Sequence, residues 1–191
     1  MSRRLPPAER RATVLDAAGR LFGAHGYDAT RLEEIATAAG VTKPILYRHF
    51  ASKQDLYLAL LARHRDDLPT FTAGLTLEGD VHARLRAVLD GWFTYVEAHA
   101  YSWRMLFRDR GGGPEVQNAR DVVHREARAV LTALIAAIAG DGIPAREHEP
   151  LAEMLSMGMA SLVLWWMDDP TAERDAIVDA MTRAWAGVIS G

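Results

Sequence analysis

Apolar residues recur along most of this chain at spacings of three and four positions, and no stretch alternates apolar and polar residues over the length of a strand. This periodicity predicts an all-α protein. Glycine, proline and short polar segments interrupt the pattern and mark the expected helix ends. Nine helices are predicted: about Pro7 to His25, about Arg31 to Ala38, a third that begins after Thr42, a fourth that Ser52 and Asp55 cap and that runs toward Pro69, and then about 81–99, 101–109, 115–139, 147–168 and 171–189.

The second and third predicted helices are separated by a short turn. Thr30 and Glu33 match the capping-box pattern, in which a hydroxyl and a carboxylate each accept a backbone amide at a helix start. Gly40 suits the backbone of a tight turn, and Thr42 is the expected N-cap of the third helix, whose first turn tolerates Pro44. The pattern predicts a helix, a turn and a second helix.

The third helix lies within VTKPILYRHF, residues 41–50, and has few large groups to bury. Leu46 and Phe50 share one side of a helical wheel and are expected to anchor it. The other side presents a guanidinium, a phenol and apolar groups, which suit base edges, thymine methyls and phosphate oxygens in a major groove. The alternative is a surface helix whose Lys43 and Arg48 are only solvated. The preceding helix and turn favour a helix-turn-helix.

The net charge of -3 is unevenly distributed along the chain. Residues 1–56 carry nine Arg and Lys against six Asp and Glu, whereas residues 57–191 carry thirteen against nineteen. A basic end on an acidic body suggests a polyanionic partner for the first segment.

Cysteine is absent, the N-terminus has no apolar signal region, and no apolar run approaches the length of a membrane span, so we expect a cytoplasmic protein.

The segment AAGRLFGAHGYDATRLEEIATAAGVTKPILYRHFASKQDL, about residues 17–56, resembles the TetR family of bacterial one-component transcription regulators. The resemblance rests on the LF and GY pairs, on IA followed by AAGV, on LYRHF and on the SK pair. It implies a helix-turn-helix DNA-binding domain at residues 1–51 and a helical ligand-binding and dimerisation domain at 52–191, joined by the fourth helix.

By the same resemblance, residues on and around the third helix are expected to contact DNA. Arg31 and Pro44 depart from the residues that many members carry at these positions. Arg31 is expected to add a phosphate contact, and Arg3 and Arg4 are candidates for an ordered arm in a groove. The DNA-binding residues are predicted to be Arg31, Thr42, Lys43, Pro44, Ile45, Tyr47, Arg48, His49 and Lys53.

The segment LAEMLSMGMASLVLWWM, residues 151–167, is apolar around nearly its whole circumference. A domain of this size cannot cover all sides of such a helix, so a second copy of the chain is the economical partner. The last helix adds an apolar stripe that includes Met181, Trp185 and Val188. We therefore expect a homodimer through helices eight and nine, which reads palindromic double-stranded DNA. The alternative is a core helix buried within one chain.

Aromatic and methionine residues are frequent in the middle helices, with five tryptophans in 191 residues. Such side chains suit a pocket for an apolar or amphipathic small molecule, and the family resemblance implies an effector of this kind. The alternative is that they only fill the core of a helical bundle. The ligand-binding residues are predicted to be Trp92, Tyr95, Trp103, Phe107, His124, Met157 and Trp165.

The resemblance thus implies a ligand-responsive regulator, and most commonly in this family a repressor that its effector releases from the operator. Two other classes of protein are the alternatives. An enzyme would need a motif such as HExxH, ExxH pairs, GxSxG or GxGxxG, and none occurs. A helical adaptor would leave the cationic third helix without a role. We therefore expect no catalytic residues, no metal, no cofactor and no membrane partner.

Overall fold

A computed structural model describes residues Pro6–Ser190, which form nine α-helices and one 3₁₀ turn and contain no strand. The all-α prediction is confirmed for this part of the chain. The elements are α1 (Pro7–Ala29), α2 (Leu32–Ala38), α3 (Lys43–His49), α4 (Lys53–Ala73), α5 (Val81–Ala98), α6 (Ala100–Phe107), α7 (Pro114–Ala139), the 3₁₀ turn (Gly140–Gly142), α8 (Ala145–Asp168) and α9 (Arg174–Ser190).

Two helices extend beyond their predicted ends. Gly26, the predicted stop of α1, has φ 80° and ψ 171°, so the helix breaks there but resumes as far as Ala29. Glycine adopts this positive φ without the steric penalty of a Cβ atom. Helix α4 passes through Pro69 and ends at Ala73. The proline removes one amide donor from that helix, and the Thr72 hydroxyl donates to the Pro69 carbonyl at 3.0 Å.

The start of α2 differs by one residue from the prediction. Arg31, not Thr30, is the N-cap, and its backbone amide donates to the Glu34 carboxylate at 3.1 Å. The Thr30 hydroxyl instead donates to the Gly26 carbonyl at 2.7 Å and so belongs to the end of α1. The predicted Thr30–Glu33 cap is therefore wrong, because the threonine is used by the preceding helix.

The predicted cap of α4 is confirmed. The Asp55 amide donates to the Ser52 hydroxyl at 3.0 Å, and the Asp55 carboxylate accepts the amide of Ala51, also at 3.0 Å. These two bonds satisfy backbone donors that have no partner inside the helix. The start of α4 is thus fixed directly after α3.

The chain divides into two compact units. Among the described residues, one unit contains Pro6–Arg65 together with Tyr101–Val122, and the other contains Asp66–Ala100 with Val123–Ser190. Helices α4 and α7 contribute residues to both units. The predicted domain boundary at residues 51 and 52 concerns the limits of the DNA-binding function and stays a prediction.

The first unit has its core where α1, α2, α3 and α4 bury their apolar sides. Val14, Ile35 and Leu46 are fully buried, and Phe50 is 1% exposed. Helix α6 also approaches α1 closely, because a Cβ atom on Gly19 would lie 2.6 Å from the Tyr101 ring. The absence of a side chain there lets the two helices meet.

The second unit is built around α5, α7, α8 and α9. Leu85 and Val88 of α5 pack with Ile138 of α7, and Trp185 and Ile189 of α9 lie against this cluster. Polar contacts at the rim add to this packing, since the Arg174 guanidinium donates to the Asp90 carbonyl at 2.7 Å. The apolar stripe of α9 therefore serves partly to bury α5.

Helix α8 is long and apolar enough to cross a membrane by length and composition alone, yet only 22% of its most apolar stretch is buried within the chain. The expectation that no segment reaches the length of a span is corrected for this helix. Ala152, Met159, Ala160 and Val163 form its buried side. Much of its apolar surface, including Met154, Met157 and Trp165, is exposed in the described chain.

Candidate functional site

Helix α3 is oriented by two buried anchors. Leu46 is fully buried and Phe50, which follows the helix, is 1% exposed, with the Arg11 guanidinium 4.9 Å above its ring. Thr42 occupies the N-cap position, as predicted, and its carbonyl accepts the amides of Ile45 and Leu46 at 2.9 and 3.1 Å. The burial of one side leaves the other side of α3 at the surface.

The surface side of α3 carries the residues that sequence analysis assigned to DNA. Lys43, Pro44, Tyr47 and Arg48 are exposed, and Tyr47 retains 44% of its accessible area. The Lys43 ammonium lies 6.0 Å from the centre of the Tyr47 ring. A cation, a phenol and a guanidinium thus project from one short helix, together with an apolar proline.

The turn between α2 and α3 is held by backbone and side-chain contacts. Gly40 has φ 64°, and the Val41 amide donates to the Ala36 carbonyl at 3.0 Å. Across the turn, Lys43 forms an ion pair with Glu33, which raises the pKa of the lysine and lowers that of the carboxyl through their hydrogen bond. Both side chains are half exposed or more, so the lysine stays accessible to a competing anion.

Lys53 has a different environment from the exposed cations of α3. Its ammonium donates to the carbonyls of Tyr27 at 2.8 Å, Thr30 at 3.2 Å and Asp28 at 3.3 Å. It also lies 4.5 Å from the centre of the Tyr27 ring. The lysine therefore ties the first residue of α4 to residues 27–31, the last turn of α1 after the break at Gly26 and the connection to α2, which we call the α1–α2 link. The sequence did not predict this contact.

The remaining predicted DNA contacts vary in exposure. Arg31 and Thr42 are exposed, whereas Ile45 and His49 are half buried. The Nε2 atom of His49 is buried without a hydrogen-bond partner. The structure therefore places six of the nine predicted residues at the surface around α3, and their contacts with DNA stay a prediction. Arg3 and Arg4 lie outside the described residues.

A cavity of about 200 Å³ lies within the second unit. It is bounded by α5, α7, α8 and α9, and its lining is almost entirely apolar. No carboxylate, amine or hydroxyl side chain belongs to the lining. The cavity suits a hydrocarbon group. Representative lining residues are Leu85, Leu89, Leu134, Ile138, Leu155, Trp185 and Val188.

None of the seven predicted ligand-binding residues lines this cavity. Trp103 and Phe107 stack on each other in the first unit, with ring centres 5.1 Å apart, and Trp92, Tyr95, His124, Met157 and Trp165 belong to the second unit. Their assignment to a ligand stays a prediction. The cavity residues were missed because leucine and isoleucine at helical spacing look the same whether they fill a core or border a cavity.

An exposed apolar face runs along α8 and α9. Met154, Met157 and Trp165 of α8 retain 58%, 63% and 51% of their accessible area, and Val188 of α9 retains 57%. Met154 and Val188 also border the cavity. A single chain thus leaves large apolar side chains of these two helices in water, on the helices predicted to form the dimer.

Comparison with known proteins identifies both halves of the chain. A family model described as bacterial regulatory proteins, tetR family, matches residues 14–60, and one described as tetracyclin repressor-like, C-terminal domain, matches residues 81–187. The HTH-type transcriptional activator FasR of Mycolicibacterium smegmatis is 34% identical to this chain over an alignment of 193 positions, which covers 97% of this chain and 85% of FasR.

Two crystal structures with bound ligands share the fold. AibR in complex with isovaleryl coenzyme A and operator DNA superposes with a TM-score of 0.72 at 21% identity, over 91% of this chain and 96% of AibR. FadR from Bacillus subtilis in complex with stearoyl-CoA superposes with a TM-score of 0.69 at 15% identity, over 90% of this chain and 95% of FadR.

The different environments of two lysines give a stability prediction. Lys53→Met removes a donor to three carbonyls, and we expect the free energy of unfolding to fall by about 1–2 kcal/mol. Lys43→Met is the matched control, since it breaks only an exposed ion pair and should change stability little. Urea unfolding followed by circular dichroism measures both. Equal losses for the two variants would contradict the role assigned to Lys53.

Proposed function

Because this chain belongs to the TetR family of bacterial regulatory proteins and is a DNA-binding regulator of transcription, we propose how it binds its operator and what releases it. The observation that carries the proposal is the orientation of α3. Its buried anchors leave Lys43, Tyr47 and Arg48 together at the surface. In a helix-turn-helix the second helix enters the major groove, which supports contacts of these side chains with base edges and phosphates.

The proposed contacts divide by chemistry. Lys43 and Arg48 donate hydrogen bonds to base edges, and Pro44 and Ile45 provide apolar contact for thymine methyl groups. Tyr47 and His49 hold phosphates, with Arg31 at the start of α2 as a further phosphate contact. Lys53 would have to leave its three carbonyls to reach a phosphate, so we propose that it contributes mainly by holding the link between α1 and α2.

The proposed DNA-binding species is a homodimer through α8 and α9. The exposed Met157 and Trp165 support it, because large apolar side chains gain stability when a second copy removes them from water. Gly158 has open space around its Cα, which permits close approach of a partner helix. A two-fold dimer would place two α3 helices about 34–36 Å apart, on successive major grooves of palindromic DNA.

The proposed effector carries a hydrocarbon chain, and a coenzyme A thioester is the class that we favour. The apolar cavity supports the proposal of a hydrocarbon chain in the effector, because its lining has no charged side chain that could pair with a charged group. The fold is shared with AibR bound to isovaleryl coenzyme A and with FadR bound to stearoyl-CoA, which supports the thioester. The polar coenzyme would then remain outside the cavity.

Release from DNA follows from differential binding. An acyl-CoA that binds more tightly to the form with misplaced α3 helices weakens operator affinity by that difference and no more. Typical allosteric couplings of about 1–3 kcal/mol correspond to changes of roughly 5–150-fold. We propose that the chain is a repressor in the cytoplasm and that it has no catalytic role of its own.

The recognition surface is tested by removing one guanidinium. Arg48→Ala should weaken binding to a genome-selected operator fragment by about 1–3 kcal/mol per lost contact and relax its sequence preference. Arg125→Ala, at an exposed position of α7, is the control and should bind like the unaltered protein. Fluorescence anisotropy at several salt concentrations measures both. If Arg48→Ala bound the operator with the same affinity as the unaltered protein, this would argue against a contact between Arg48 and the groove.

The dimer is tested by placing a charge on the apolar face. Met157→Glu would bury an unpaired carboxylate in the proposed interface, so we expect dimerisation to weaken by at least about 3 kcal/mol and operator binding to fall with it. Ala83→Glu adds the same group at an exposed position in the first turn of α5. Analytical ultracentrifugation gives the mass of each. A stable dimer of Met157→Glu would place the interface elsewhere.

The effector class is tested with palmitoyl-CoA as the probe and coenzyme A as the control without a chain. Palmitoyl-CoA should change the fluorescence of Trp185, lower operator affinity about 5–150-fold and raise transcription from a repressed promoter. Leu134→Trp fills part of the cavity, so it should reduce the fold-change in operator affinity that palmitoyl-CoA causes. A response to coenzyme A alone would contradict chain recognition, and a fall in transcription would make the protein an activator, as FasR is named.

A further inference from the structure

The carboxylate of Asp109 forms three hydrogen bonds and one ion pair with separate parts of the first unit. Its Oδ2 accepts from the Tyr27 amide at 2.9 Å and the Tyr57 hydroxyl at 3.0 Å, and its Oδ1 accepts from the Gly111 amide at 2.9 Å. The Arg120 guanidinium forms an ion pair with Oδ2 at 3.0 Å. The side chain is only 6% exposed. This carboxylate joins α1, α4 and α7 to the loop between α6 and α7.

Arg120 completes the network. Its guanidinium donates to the Tyr57 hydroxyl at 2.6 and 3.0 Å and to the Gly111 carbonyl at 2.9 Å, and its side chain is 4% exposed. Burial raises the pKa of Tyr57, so its phenol remains protonated and able to donate to Asp109. We call Tyr57, Asp109 and Arg120 the buried triad.

Stability alone does not account for such a triad. Two charges taken out of water lose hydration that their mutual attraction roughly offsets, and well-packed apolar residues often do as well or better. A polar network with every member satisfied has a different property, because its hydrogen bonds have one geometry and fix the groups that they join.

The triad fixes the link between α1 and α2. Tyr27, whose amide it binds, directly follows the break at Gly26, and on this same link the Lys53 ammonium holds three carbonyls. Helix α2 begins a few residues later and is joined to α3 through the Glu33–Lys43 pair. The position of the recognition helix therefore depends on a link that is held from α4 and from the loop after α6.

The glycines of that loop allow its close approach. A Cβ atom on Gly111 would lie 2.7 Å from the Asp28 carboxylate, and Gly112 has φ 88° with a Cβ position 2.7 Å from Val116. The Gly112 amide points to the Asp28 carboxylate at 3.4 Å. The segment RGGGP, residues 110–114, thus lets the loop pack against the end of α1.

We propose that Tyr57, Asp109 and Arg120 are positioning residues for DNA binding: the closed triad holds the α1–α2 link so that α3 can enter the groove. This inference rests on the proposed function. None of the three is expected to touch DNA. Opening the triad leaves α3 intact but misplaced, and the apparent affinity for DNA falls with the fraction of closed molecules.

The first test removes single atoms or charges from the triad. Tyr57→Phe and Asp109→Asn should each weaken operator binding about 10-fold or more, measured per folded molecule, with the dependence on salt unchanged because no phosphate contact is lost. Asp80→Asn is the matched control: Asp80 accepts the Ala83 amide at 2.8 Å in the other unit, and its loss should leave operator affinity unchanged. Folded triad variants with unaltered affinity would overturn the inference.

The second test uses the unaltered protein and does not depend on a variant that folds. If the open form cannot bind DNA, operator at 100 times its Kd should slow hydrogen exchange of the Tyr27 and Gly111 amides about 100-fold. The Ala83 amide, bound to a carboxylate of the second unit, should exchange at the same rate with and without DNA. Tyr27 and Gly111 amides that do not respond to operator would overturn the inference.

The two tests separate this inference from the proposed function. If the unaltered protein binds no fragment selected from its genome, both fall together. If it binds an operator tightly while the triad variants bind equally well, the regulator stands and the positioning role of the triad is lost.

Discussion

The burial of Leu46 and Phe50 is the constraint on which the rest of this structure depends. A helix of seven residues is too short to hold its shape or orientation by backbone bonds alone. Two apolar anchors in the core of the first unit decide which side of α3 meets water. Once that side is fixed, Lys43, Tyr47 and Arg48 lie together at the surface.

Hydrogen bonds to the α1–α2 link also help to hold α3 in place, because the link leads into α2 and α2 contacts α3. The α1–α2 link offers its carbonyls to Lys53 and the Tyr27 amide to Asp109, so its polar groups are satisfied by side chains from outside α1. Such bonds are directional, whereas apolar packing tolerates small shifts. Helix α7 carries Arg120 in one unit and the cavity residues Leu134 and Ile138 in the other. Helix α7 thus contributes both to the buried triad and to the cavity lining.

The sequence predicted the features that depend on local pattern. Helix number, the turn at Gly40 and the cap formed by Ser52 and Asp55 follow from spacing and from turn chemistry within a few residues. The same local reasoning misplaced the cap of α2 by one residue, because Thr30 had a competing partner in the Gly26 carbonyl. When one residue could cap either of two neighbouring helices, only the folded structure shows which helix it caps.

Contacts between distant residues were beyond such reasoning. Asp109 meets the Tyr27 amide across 82 positions, and Arg120 meets Tyr57 across 63. The family resemblance predicted that Lys53 contacts DNA, and it gave no sign of the three carbonyl partners, which lie at least 23 residues earlier. The cavity likewise depends on how four helices pack, which no spacing of leucines encodes.

We propose that two copies of α3, each oriented by its buried anchors, enter successive major grooves of one duplex. Hydroxyl-radical footprinting of the protein on a genome-selected fragment measures this arrangement. We expect two protected patches related by two-fold symmetry, with centres about 10–10.5 base pairs apart or a multiple of that spacing. A single patch, or protection without symmetry, would contradict it.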